Sequence, residues 1–223
     1  MPLLIAIDGP VGAGKSTISD EVAKRLHILH LDTGAMYRAA GLAALKHGVS
    51  LDDEKAVGAV VSEADISVSY VDNAQRTYLD GEDVSEKIRT QQAGQAASAV
   101  SRFAAVRQKM VAAQRAMAQN TSMLLDGRDI GTVVLKNATA KIFLTASPEA
   151  RARRRMNQLK EKGDSTPFEE ILQEVKARDE QDEHRTVDPL KKAEDAVVVD
   201  SSALNFEETV QAILRIVEEK QHG

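Results

Sequence analysis

Nine residues constrain this chain more than any others: Gly9, Pro10, Val11, Gly12, Ala13, Gly14, Lys15, Ser16 and Thr17, directly after the apolar run LLIAID. They fit G-x-x-x-x-G-K-[ST], between a predicted strand (3–8) and a helical spacing that runs from 14 to 26. A flexible turn with a chance lysine needs neither this order nor this setting. Glycines let the backbone curl so that successive N–H groups face phosphate oxygens, and the helix N-terminus adds its dipole. Lys15 then neutralises the β- and γ-phosphates of a bound nucleotide, and the Ser16 hydroxyl is the expected ligand of a nucleotide-borne Mg²⁺.

Around this cradle, short apolar runs alternate with longer amphipathic stretches. HILHL (27–31), SMLLD (122–126), KIFLTA (141–146) and AVVVD (196–200) join 3–8 as strand candidates. A helix is expected from Ala35 to Lys46, stopping at Gly48. Ser147-Pro148-Glu149 reads as a helix start, and Asn205 with Glu208 as a capping box. Strands alternating with helices imply an α/β domain with a parallel sheet. One region departs from that rhythm. ISVSYV and RTYLD alternate with period two around DNAQ, which predicts a small antiparallel insert before one long helix over 91–119.

Composition removes other classes. With 223 residues the chain supports one substantial core. A net charge of −5 argues against a nucleic-acid coat. The absence of cysteine removes disulfide and thiolate-metal chemistry, and the five histidines are scattered. Neither a leader-like N-terminus nor a segment of membrane-spanning length is present, so a cytoplasmic protein without a membrane partner is expected.

A cradle does not distinguish a motor, a switch and a small-molecule kinase. No NKxD guanine-reading motif occurs, and the chain is short for a motor. Four further clusters bear on the choice. LDTGAMYR (31–38) puts a hydroxyl, helix N–H groups and Arg38 where an anion docks, or is simply a helix cap with a solvated arginine. LLDGRDIGTVV (124–134) ends a strand at Asp126 and places Arg128 between two acids, a Walker-B-like strand end or an ordinary turn. Arg151, Arg153, Arg154 and Arg155 face several directions on a helix and cannot all pair internally. They are either a solvated basic face or a flap that carries guanidiniums to a transferring phosphoryl group. Arg178, Asp182 and Arg185 at i, i+4 and i+7 form a surface ladder or offer two cations to a phosphate and a carboxylate to a ribose.

In order, GPVGAGKST, LDTGAMYR, EKIRTQQ, LDGRDIGTVV and RDEQDEHRTVDPLKKAEDAVVVDSS resemble bacterial cytidylate kinases through nearly the whole chain. The resemblance implies a P-loop nucleoside monophosphate kinase fold. Its α/β core has a five-stranded parallel sheet flanked by helices, a small antiparallel β insert in the monophosphate-binding region and an arginine-rich lid. As a single domain over 1–223, the core would span 1–62, 88–150 and 166–223, the insert about 63–87 and the lid about 151–165, with Arg151, Arg153, Arg154 and Arg155 in the lid.

The implied reaction transfers phosphoryl from ATP to CMP or dCMP with Mg²⁺, in pyrimidine metabolism. Gly9 to Thr17 would hold ATP. Thr33, Arg38, Arg128 and Arg185 would lie at the CMP end, with Tyr37 and Arg89 in the same neighbourhood. Asp182 would meet the sugar, Arg178 the reacting phosphates, and Ser98, Arg107 and Asp129 the base. Lys15, Arg128, Arg178 and Arg185 would carry the catalysis. A monomer with no nucleic-acid partner is expected. A carboxylate at Asp129 suits the cytosine amine and repels the uracil carbonyl, and a guanidinium at Arg107 suits N3 and O2. Two rivals stand beside this reading: a P-loop kinase for another acceptor such as UMP, AMP or dTMP, and a nucleotide-binding switch that phosphorylates nothing.

Overall fold

The structure, a computed structural model, describes residues 2–161 and 163–222. Lys162, inside the expected lid, lies outside the described residues, as do Met1 and Gly223 at the ends of the expected domain. The chain packs as two compact units, Met1–Ile28 with Ser122–Gly223, and Leu29–Thr121.

In the first unit the strands are β1 (Leu4–Asp8) and, after the second unit, β6 (Met123–Gly127), β7 (Ala140–Thr145) and β8 (Val197–Asp200). The main sheet has five strands, and these four run in parallel in the order β6-β1-β7-β8. The helices here are α1 (Lys15–Arg25), α6 (Pro148–Glu161), α7 (Phe168–His184) and α8 (Phe206–His222). Strands buried on both faces read as continuous apolar runs, which is why LLIAID and KIFLTA show no alternation. Ile5, Ile7, Leu124, Ile142 and Leu144 form the sheet's part of the core, and Val22, Val210, Ile213 and Val217 close on it from the helices. A smaller cluster of Ala152, Ile171 and Val175 binds α6 to α7.

Two helix starts are built as their sequences predict. The Ser147 hydroxyl accepts the Ala150 N–H at 3.2 Å, with Pro148 as the first residue of α6. At α8, Asn205 and Glu208 exchange backbone-to-side-chain hydrogen bonds of 2.8 and 2.9 Å.

The second unit opens with the fifth strand of the main sheet, β2 (Leu29–Asp32), and continues through α2 (Thr33–Lys46) and α3 (Glu54–Glu63). The period-two segment forms β3 (Ile66–Val71), β4 (Ala74–Leu79) and the short β5 (Glu82–Asp83), an antiparallel sheet in that order. A 3₁₀ turn (Lys87–Arg89) leads into α4 (Gln91–Val100) and α5 (Ala104–Ala118). The Ala/Gly composition of α2 and α4 serves close packing. A Cβ added to Gly41 would stand 2.8 Å from the Ala96 Cβ and 2.9 Å from its backbone.

The single helix expected over 91–119 is therefore two helices. The Ser101 hydroxyl donates to the Ser98 carbonyl at 3.0 Å, a local bond that competes with helix continuation. Phe103 then takes an extended conformation (φ −87°, ψ 130°) and buries its ring, while Arg102 stacks 5.0 Å from that ring and reaches the Asp52 carboxylate. Burial and pairing far along the chain override a helical propensity that is continuous in the sequence.

Candidate active site

The cradle stands at the end of β1, inside the first unit. Gly9 is obligatory for a reason the motif does not announce. A Cβ there would fall 1.9 Å from the Leu144 carbonyl oxygen, so β1 could not run beside β7 with any other residue. Gly14 caps α1 in the left-handed region at φ +88°. At 7% exposure, Lys15 turns its ammonium to the Pro10 carbonyl at 2.7 Å. Burial, and then the nearby Arg128 cation, pull its pKa down to about 7 from an ordinary 10.5; Asp126, Asp182 and Asp8 oppose the shift. The Ser16 hydroxyl donates to the buried Asp126 carboxylate at 3.0 Å. The strand end read from LLDG thus meets the cradle at one hydrogen bond.

Beyond β6, acids and guanidiniums alternate. Arg128 donates from Nε to Asp182 Oδ2 at 2.7 Å, and Arg178 lies 3.8 Å from the other oxygen of the same carboxylate. Burial alone would raise the Asp182 pKa, but Arg128 and Arg178 outweigh it and hold the group below the usual carboxylate range. Arg185 approaches Asp129 at 3.5 Å, with both side chains almost wholly buried.

The spacing i, i+4, i+7 predicted Arg178, Asp182 and Arg185 on one helical face. Two of the three are there. Arg185 instead leaves α7 as its C-cap (φ −61°, ψ 143°), because its guanidinium turns to the Asp188 carbonyl and the Leu190 N–H returns to the Asp182 carbonyl at 2.8 Å.

Asp8, the last residue of β1, was not among the candidates. Its two carboxylate oxygens each accept a backbone N–H at 2.7 Å, from Ile130 and from Gly131, the two residues after Asp129. Burial pushes its pKa up to about 7; the Gly131 and Ile130 hydrogen bonds pull down, the nearby Asp129 charge adds to the rise, and Lys15 opposes it. The signal available in the sequence was a lone acid closing an otherwise apolar run.

The four lid candidates separate. Arg151 is 3% exposed and fully engaged, with Nε on the Ala146 carbonyl, Nη1 on the Val11 carbonyl at 3.0 Å, and both terminal nitrogens on Asp179. Arg151 thus has an internal partner that the run itself does not reveal, since Asp179 lies 28 residues away on α7. Arg154 bonds Ser201 and reaches the Ala13 carbonyl at 3.4 Å. Arg153 is exposed over the Phe168 ring at 5.4 Å, and Arg155 is half-buried.

In the second unit, Thr33 is buried as the first residue of α2, and Asp32 caps that helix by accepting the Ala35 N–H at 3.0 Å. The other Asp32 oxygen holds Arg38 Nη2 at 2.6 Å, while Arg38 Nε is buried with no hydrogen-bond partner. Arg107, 2% exposed, lies 5.6 Å from the Tyr37 ring and donates to the Ser101 carbonyl at 3.4 Å. Ser98 is buried on α4. Arg89 stands on the 3₁₀ turn, largely exposed, 3.6 Å from Glu86.

Among the described residues no group of three or more His, Cys, Asp or Glu side chains is placed to hold a metal ion, and no helix is long and apolar enough to cross a membrane. Solved structures share the fold. A gluconokinase from Sinorhizobium meliloti matches with a TM-score of 0.51 at 16% identity, covering 98% of this chain and 93% of that one. A sugar kinase from Janibacter sp. matches at 0.50 and 15% identity, covering 98% and 95%. Sequence relatives are far nearer. A cytidylate kinase from Caldicellulosiruptor bescii is 49% identical over 212 residues, 95% of this chain and 94% of that protein. One from Pasteurella multocida is 45% identical over 217 residues, covering 97% and 96%. The family model described as cytidylate kinase matches residues 5–219, and the chain belongs to the cytidylate kinase family.

Proposed function

We infer that the chain transfers the γ-phosphoryl group of ATP to CMP and dCMP, releasing ADP with CDP or dCDP. The observation that carries this beyond family membership is the continuity of one charged cluster. Lys15 and the Ser16–Asp126 pair of the cradle lead into Arg128, Asp182 and Arg178 within a single unit.

A phosphomonoester is already mostly a dianion at pH 7, with a second pKa of about 6, so the acceptor needs no general base. Its oxygen attacks the γ-phosphorus while the bond to the ADP bridging oxygen breaks, and the charge spreads over equatorial oxygens. Lys15 follows the β/γ bridge, and Arg178 and Arg128 stabilise the spreading charge in a site of low water content. Asp182 holds both arginines in place and offers its carboxylate to the sugar. Arg185 is kept beside Asp129, where that carboxylate accepts a hydrogen bond from the cytosine amine. Within the second unit, Thr33 and the unsatisfied Nε of Arg38 suit an acceptor phosphate, and Arg107 and Ser98 suit a base. Tyr37 lies against Arg107, and Arg89 is an exposed cation of the same unit.

Mg²⁺ suits the oxygen donors of this cradle. A hydroxyl at Ser16 and a carboxylate at Asp126 are hard ligands. When bound, Mg²⁺ would be held by Ser16 and Asp126 and would supply neutralisation of the phosphate charge. Such a reaction would belong to pyrimidine nucleotide metabolism, with the protein in the cytoplasm.

The test is ADP release with ATP and Mg²⁺ against CMP, dCMP, UMP, AMP, GMP and dTMP. Turnover with CMP and dCMP, and a loss of preference over UMP in Asp129→Ala, is expected. Turnover with a different monophosphate would overturn the acceptor assignment, and no turnover with any would leave a nucleotide-binding switch.

A further inference from the structure

What the antiparallel insert contributes to this reaction is decided by two side chains that face each other across its hairpin. Tyr70 on β3 and Gln75 on β4 are direct partners in the strand register, so both project from the same face. Both reach β2. The Tyr70 hydroxyl donates to the His30 carbonyl at 3.1 Å. Two residues on, Gln75 Oε1 accepts the Asp32 N–H at 2.8 Å, and Gln75 Nε2 donates to the Asp32 carbonyl at 3.2 Å. A primary amide spans the N–H and C=O of one extended residue in this way with one orientation only, oxygen to N–H and nitrogen to C=O, so the contacts themselves settle which end of the amide is which. Nε2 also donates to the Thr77 hydroxyl at 3.2 Å, and Thr77 is buried and tied through its own N–H to Ser85. The amide is therefore locked on the insert side as well.

The residue so gripped is not an arbitrary one. Asp32 is the N-cap of α2, and its side chain divides between the Ala35 N–H and Arg38, at 3.0 and 2.6 Å. The next residue is the buried Thr33. Movement of the backbone at Asp32 would carry all of these groups with it: the cap, the Thr33 hydroxyl and the carboxylate that aims Arg38. Without Gln75 the Asp32 N–H and C=O would exchange their partner for water and the carboxylate would lose a fixed base.

We propose that Gln75, seconded by Tyr70, is a positioning residue for the acceptor phosphate, and that the insert acts as a brace that sets the aim of Thr33 and Arg38. The proposal rests on the assignment of Arg38 to the acceptor phosphate made above. Gln75 touches no reacting atom; it works through Asp32.

The experiment compares Gln75→Met, Tyr70→Phe and Arg38→Ala with the wild type. It reads kcat, the KM for CMP, the KM for ATP, and CMP binding by calorimetry, with thermal melting alongside. Methionine keeps the length and packing of Gln75 and removes only the hydrogen bonds. The amide's hydrogen bonds stabilise the free protein as well, and a share worth about one of them, about 1 kcal/mol, felt at the acceptor site predicts a rise of roughly 3- to 10-fold in the KM for CMP in Gln75→Met. The KM for ATP should be unchanged, while the melt falls because the lost hydrogen bonds also cost stability. Tyr70→Phe should show a smaller rise of the same kind. A CMP KM in Gln75→Met equal to that of the wild type, with CMP binding weakened in Arg38→Ala, would overturn the brace alone. Equal rises in the CMP and ATP constants would also overturn it, since that is what a general loss of structure produces. CMP binding unaffected by Arg38→Ala would remove the acceptor-site reading and the brace together.

Discussion

The Arg151 guanidinium and the Asp179 carboxylate meet through two parallel hydrogen bonds, 2.8 and 2.6 Å long, beneath the tip of the phosphate cradle. The same Nη1 holds the Val11 carbonyl, and a Cβ at Gly12 would stand 3.3 Å from that of Arg151. The pair ties the cradle to α7, the helix that carries Arg178 and Asp182. Paired arginine forks of this kind fix geometry as well as charge.

Asp179→Asn keeps the shape and removes the counter-charge, leaving a buried guanidinium uncompensated. Destabilisation of about 3 kcal/mol is expected, the lower end for breaking a buried pair because Asp179 retains some contact with solvent. Urea denaturation measures it. The KM for ATP should rise with it, because Val11 loses a fixed partner; a variant as stable as the wild type would show that the pair is not a strut.

With ATP in the cradle as proposed, Lys15 would make its binding a proton-linked event. Its pKa stands at about 7 before a polyanion arrives, and phosphate oxygens beside the ammonium push it back up. Above pH 7 the complex therefore holds a proton that the free protein has released, and ATP affinity falls as pH rises, by up to about tenfold per unit. Calorimetry at pH 8 in two buffers of different ionisation heat should show uptake of a proton in the wild type and none in Lys15→Met. The same depressed pKa gives the residue's stability contribution its sign. That contribution is complete above the unfolded value of about 10.4 and is lost as pH falls towards 7. Lys15→Ala should keep the fold and lose turnover by about 10²-fold or more, the scale for removing one preorganised charge-stabilising donor.

Asp8 aims the turn that presents Asp129. An asparagine there offers one acceptor instead of two and sets an NH₂ group against a backbone N–H. The expected cost in Asp8→Asn is about 1–3 kcal/mol, the range for a buried group left unsatisfied. The specific readout is selectivity: kcat/KM for CMP over UMP should fall, because Ile130 and Gly131 no longer hold the residue beside them. Preserved selectivity in a destabilised variant would assign Asp8 to the fold alone.

Comparison of residues and structure shows where local pattern suffices. The cradle, the strands and the caps at Ser147 and Asn205 were legible because each depends on neighbours within a few positions. The parallel sheet followed from short apolar runs alternating with amphipathic stretches, and its small antiparallel companion from the change of hydrophobic period near Ile66. The failures share a different cause. The interruption at Ser101–Phe103, the departure of Arg185 from its helix and the burial of Arg151 all depend on partners supplied from elsewhere: Asp52, Asp188 and Asp179. Arg151 sits in a run of arginines whose average signal is a solvated or flap-like face, and only a carboxylate 28 residues downstream distinguishes it. Gln75 carried no signal, since one exposed-looking amide in a hairpin is the commonest of surface residues. Asp126 was read as a strand end but not as the partner of Ser16.

β1 is flanked on both sides within its unit, by β6 and by β7, and Gly9 follows it with no room for a side chain. The amides of Ile5 to Ile7 can therefore meet solvent only when the whole unit opens, whereas most binding loops ride on elements that fray early. ATP held at the end of this strand would draw its grip from the last part of the unit to come apart. Occupancy then protects the entire unit rather than the loop alone, and hydrogen exchange deep in the sheet becomes a gauge of nucleotide concentration.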